Sequence, residues 1–68
     1  MMKDKEIDKI YELIDSEKYT EAKEVIKEIL KEDASDIEAQ KLLALCEVNL
    51  ENYDSARTIL EDVVKFSQ

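Results

Sequence analysis

The chain has 68 residues, enough for one small domain with a modest core and too few for two. Hydrophobic residues at 44% and charged residues at 41% exclude a disordered acidic tail and a membrane protein, and the absence of Gly and Pro argues against a turn-rich β fold. Ten basic against eighteen acidic residues leave a formal charge of −8, which repels a phosphate backbone and disfavours nucleic acid as a partner. A basic peptide, or a basic face of another protein, is favoured instead.

From Asp4 to about Asp15 the apolar residues Ile7, Ile10, Tyr11 and Ile14 follow helical spacing, with Asp4 placed to cap the first free N–H groups. Ser16-Glu17-Lys18 breaks the pattern and predicts a tight turn. A second helix is predicted from about Tyr19 to Glu32, with Ala22, Val25, Ile26, Ile29 and Leu30 on its buried side. Lys23 and Lys27 alternate with Glu21, Glu24 and Glu28 on the other side, which reads as a solvated face of i,i+4 ion pairs. Asp33-Ala34-Ser35-Asp36 ends that helix, and Ser35 followed by Glu38 has the form of a capping box for a third.

The third helix, running to Leu50, is the most apolar in the chain. Ala39, Leu42, Leu43, Cys46 and Leu50 fall on one stripe, and Ala44, Leu45 and Val48 lie off it, so this helix is expected to be contacted from two sides. Glu51-Asn52 is the next turn, with Asn52 as N-cap of a fourth helix carrying Tyr53, Ala56, Ile59, Leu60, Val63, Val64 and Phe66. The expected fold is all-α, with four helices paired as two helix–turn–helix hairpins.

The hairpins repeat. Glu17 and Glu51, Tyr19 and Tyr53, and Ala22 and Ala56 are separated by one and the same offset, at which Val25, Ile26, Ile29 and Leu30 are matched by Ile59, Leu60, Val63 and Val64. A helix–turn–helix period of roughly 34 residues, with Leu43-Ala44 and Asn52-Tyr53-Asp54-Ser55-Ala56 at motif positions, resembles the tetratricopeptide repeat. The resemblance divides the chain into unit one, about 3–36, and unit two, about 37–68, in a short right-handed superhelical fragment. The small Ala22 and Ala56 are expected at the close approach within each hairpin, with Tyr19 and Tyr53 filling its wider end. Gln40 and Glu47 depart from the family, which commonly places large aromatic residues there, and the closing proline has no counterpart. The first helix fits two registers: a 34-residue one, which turns Ile7, Tyr11 and Ile14 toward the groove, and a 32-residue one, which makes them core.

No enzyme is indicated. The chain lacks His, a Gly-rich phosphate loop and a CxxC pair, and Cys46 reads as core packing. No metal or cofactor is expected, since Asp33, Ser35, Asp36 and Glu38 lack the glycine and spacing of a calcium loop. A single Cys and no signal-type apolar run near Met1 give a cytoplasmic expectation. The resemblance implies a protein–protein interaction module, an adaptor or small chaperone, with a concave groove for a peptide or amphipathic helix. Carried over by position, that groove comprises Asp4, Ile7, Tyr11, Ile14, Glu38, Lys41, Leu45, Val48 and Asn49. A competing expectation is a homodimer formed through an exposed patch of Ile59, Val63 and Phe66 on the fourth helix.

Overall fold

The computed structural model describes residues 4–67, with side chains from Lys5 to Lys65. Asp4 and Phe66, assigned above to the groove and to self-association, therefore have side chains outside the described residues. Four helices follow in order: α1 (Asp4–Asp15), α2 (Tyr19–Glu32), α3 (Ile37–Asn49) and α4 (Tyr53–Ser67). Each packs on its neighbour in sequence, so α3 lies against both α2 and α4. The Cα extents of 31 × 27 × 16 Å make a slab whose thinnest dimension is two helices deep. None of the described helices is long and apolar enough to cross a membrane.

Both hairpins turn by the same hydrogen bonds, repeated one unit apart. Lys18 N–H donates to Leu13 C=O at 2.8 Å and Glu17 N–H to Ile14 C=O at 2.9 Å; Asn52 N–H donates to Glu47 C=O at 2.8 Å and Glu51 N–H to Val48 C=O at 3.0 Å. This is the Schellman arrangement, which requires a left-handed residue just past the helix end. Glu17 (φ 60°) and Glu51 (φ 64°) supply it, at positions where glycine carries no Cβ penalty.

The connection from α2 to α3 differs from the predicted capping box. Asp36, not Ser35, caps α3, its carboxylate accepting from Ala39 N–H at 3.2 Å. Ser35 is engaged one step earlier, its hydroxyl donating to Asp33 Oδ1 at 2.9 Å in an Asx-type turn. A carboxylate also interacts more favourably than a hydroxyl with the positive end of the helix dipole.

The main core joins three helices: Ile10 from α1, Ala22, Ile26 and Ile29 from α2, and Ala39, Leu42 and Cys46 from α3, with Leu13, Ile14, Tyr19, Val25, Leu30 and Leu43 packed around them. Ala44, Ala56 and Val63 are buried in the second hairpin. Two expectations are corrected here. Val63 is only 7% exposed and Ile59 is half-buried, so neither forms an outward patch; Leu60 and Val64 take that position. The i, i+3, i+7 set Ala56, Ile59 and Val63 turns inward together, which rotates Tyr53, Arg57, Leu60 and Val64 out. Tyr53 accordingly is exposed, whereas its counterpart Tyr19 packs on the core.

Replacing the fully buried Ala22 or the nearly buried Ala56 by Leu is expected to overpack the helices and cost about 1–3 kcal/mol in urea unfolding. Glu17→Gly and Glu51→Gly are expected to act oppositely, each raising stability by about 1 kcal/mol through relief of the left-handed backbone. An unchanged urea midpoint for both glycine variants would contradict the turn geometry.

Candidate functional site

The sequence-assigned groove residues lie on α1 and α3. Tyr11 and Leu45, one repeat apart, are 43% and 42% exposed, and Val48, three residues on from Leu45, is also exposed. Ile7 and Ile14 are half-buried, the latter packed against the core. Glu38, Lys41 and Asn49 are exposed. The Tyr11 hydroxyl donates across to Glu38 Oε1 at 3.4 Å, linking α1 to the first turn of α3. Asn49 turns back on its own helix, its amide donating to Leu45 C=O at 2.8 Å. The matched exposure of Tyr11 and Leu45 and the burial of both Ile10 and Ala44 agree with the 34-residue register, whereas Ile14, packed on the core, and the buried pair Ile10 and Leu42 agree with the 32-residue one.

On the opposite side, the solvated-face reading of Lys23 fails. Lys23 Nζ reaches from α2 to Glu47 Oε1 on α3 at 2.8 Å, and Glu47 is buried. The pair lies in a shallow depression of about 550 Å³ whose walls include Lys27, Leu43, Asp54 and Thr58. Burial alone pushes the Glu47 carboxyl upward, but the Lys23 ammonium, the Asn52 amide and the charge of Lys27 together outweigh it and hold the group below its ordinary 4.5. The signal available in the sequence was the acid itself, set between Cys46 and Val48 in a helix otherwise apolar there. Gln40, the other departure from the aromatic pattern, is also buried and donates to Ala34 C=O at 2.6 Å, tying α3 to the preceding loop.

Cys46 is fully buried. Its desolvation, reinforced by the negative charge of Glu47 and only partly countered by Lys23, pushes the thiol upward, which suits packing and not nucleophilic chemistry. A third surface, of which the sequence-level groove assignment held only Val48, is an apolar groove of about 370 Å³ where Val48 at the end of α3 meets Tyr53, Ala56, Leu60 and Val64 of α4, with Arg57 and Glu61 along it. Its signal was the i, i+4, i+7, i+11 spacing of Tyr53, Arg57, Leu60 and Val64.

Two helical hairpins offset by one repeat in sequence, with shared turn geometry, define a helical-repeat protein. A tetratricopeptide repeat family model matches residues 13–68, and the chain belongs to that family. Its members generally serve as protein–protein interaction modules, a non-enzymatic role. Searches of curated proteins and of solved structures return no match.

Lys23→Ala, which leaves the buried Glu47 carboxylate without its ammonium, is expected to cost about 3 kcal/mol. Glu47→Leu is expected to cost less, because the freed Lys23 can turn to water. The lowered folded-state value means that the stabilisation by Glu47 is full above about 4.5 and is lost as pH falls through the folded value. Glu47→Leu should therefore flatten the acid limb of stability in urea titrations at stepped pH. An acid limb identical to that of the parent chain would contradict the assignment.

Proposed function

We propose that the chain is a non-enzymatic adaptor or small chaperone that holds a peptide or amphipathic helix against the face shared by α1 and α3. The observation carrying this reading is that Tyr11 and Leu45, repeat-related positions on the two first helices, both keep large apolar side chains in water. Val48 extends the apolar row. Asp8 and Asp15 are exposed on the helix that carries Tyr11, Glu38 accepts from the Tyr11 hydroxyl, and Lys41 is the lone basic member of the assigned set. Together with a formal charge of −8, this arrangement suits a helix with an apolar stripe and flanking Lys or Arg, captured faster at low ionic strength. Recognition of a free peptide carboxylate fits poorly, for want of clustered cations.

The test uses a fluorescein-labelled amphipathic peptide with lysines on its polar face. Tyr11→Ala and Leu45→Ala are each expected to weaken capture about tenfold while changing stability by less than about 1 kcal/mol, since truncating half-exposed side chains opens no core cavity. Unaltered affinity in both variants, or a stability loss of several kcal/mol, would overturn the reading.

A further inference from the structure

The internal repeat says what should cover α4. In the first hairpin, α2 is flanked by α1 on one side and by α3 on the other. Translating the hairpin by one repeat superposes the sequence positions of α2 on those of α4, but among the described helices only α3 packs extensively on α4, while Lys23 and Lys27 of α2 reach only the depression that Asp54 and Thr58 line. The consequence is graded along one stripe. Ile26 is fully buried, whereas its counterpart Leu60 is 46% exposed; Leu30 and Tyr19 pack on the core, whereas Val64 and Tyr53 are exposed. Ile14 is packed where its counterpart Val48 is exposed. Lys23 is 20% exposed and paired with a carboxylate of the covering helix, whereas its counterpart Arg57 is 79% exposed. The groove at α4 thus occupies the same place in the second hairpin as the surface that receives α3 in the first.

We propose that this groove receives an amphipathic helix of a partner protein, presenting a small residue, a leucine and a carboxylate at the spacing of Ala39, Leu42 and Glu47, with the carboxylate paired to Arg57. The helix would lie over Val48, Tyr53, Leu60 and Val64. At present Arg57 Nε leans on Glu61 Oε1 at 3.3 Å in a solvent-exposed i,i+4 pair, which contributes little and is readily exchanged for a partner's carboxylate. A second folded copy offers no such helix. Its α3 is engaged on both sides, and α1 carries Lys5, Asp8, Lys9 and Glu12, all exposed, where α3 carries Ala39, Leu42, Leu43 and Cys46. Two chains at −8 also repel. This surface shares only Val48 with the α1/α3 face, and the proposal does not depend on that one.

The probe is a hydrocarbon-stapled, fluorescein-labelled peptide with the sequence of residues 37–50 and Cys46→Ala, titrated against the full 68-residue chain by fluorescence anisotropy. Saturable binding is expected, weakened about tenfold by Arg57→Glu and regained when the peptide's counterpart of Glu47 is changed to Lys. Leu60→Asp should abolish binding with the circular dichroism spectrum unchanged, and Tyr11→Ala should leave it intact. Absence of binding would overturn the proposal. So would binding indifferent to Arg57→Glu, which would mean that the peptide displaces α3 from the first hairpin. Sedimentation showing parent dimers that Leu60→Asp dissolves would overturn it as well, by assigning the groove to a second copy.

Discussion

Everything in this structure follows from the need to bury α3 on two flanks. Ala39, Leu42 and Cys46 join the core formed with α1 and α2, while Ala44 is buried on the same helix beside a second hairpin that buries Ala56 and Val63. A helix with apolar residues around so much of its circumference is unstable on a surface, and hydrophobic burial is the dominant favourable term available to a chain of this size. Placing α2 and α4 on either side of it fixes the relative orientation of the hairpins. That orientation leaves Tyr11 of α1 and Leu45 of α3 both exposed to solvent.

Polar contacts then select one alignment of α3 among those that burial would tolerate. The carboxylate of Glu47 meets Lys23 of α2 and the amide of Asn52, at 2.8 and 3.5 Å. Gln40 meets the carbonyl of Ala34. Sliding or rotating α3 by one residue would strand a charge and an amide in a dry environment, a cost of several kcal/mol for an unpaired buried ion. At both positions where the sequence departs from the family's aromatic pattern, α3 is thus held by directional bonds in place of ring area. Buried ion pairs are weak sources of net stability, so this contact acts on alignment more than on the depth of the folded state.

The two hairpins are near copies in sequence and in turn geometry, yet they differ in environment. Equivalent side chains are core in one and surface in the other, because among the described helices α2 packs on α1 and α3, whereas α4 packs extensively on α3 alone. In a linear repeat array each unit's apolar face is completed by its neighbour, so exposure at α4 reflects which helices lie beside it among the described residues and not its composition.

How much was legible follows from the range of the physics involved. Four helices, their approximate ends, the repeat period and the burial of Ala22, Ala56 and Cys46 depend on local spacing and side-chain size, and the sequence alone determined them. The α3 cap was displaced by one residue because Asp33 and Asp36 compete for the same short segment, and only the observed hydrogen bonds resolve which acid does which job. The inward turn of Val63, the exposure of Leu60, Val64 and Tyr53, and the reach of Lys23 to Glu47 were decided by tertiary structure. Periodicity shows that a helix has an apolar stripe, but when that stripe is wide it does not show which edge a neighbour covers. That choice depends on a helix distant in sequence, and the partner of a long flexible lysine depends on what that helix brings within its reach.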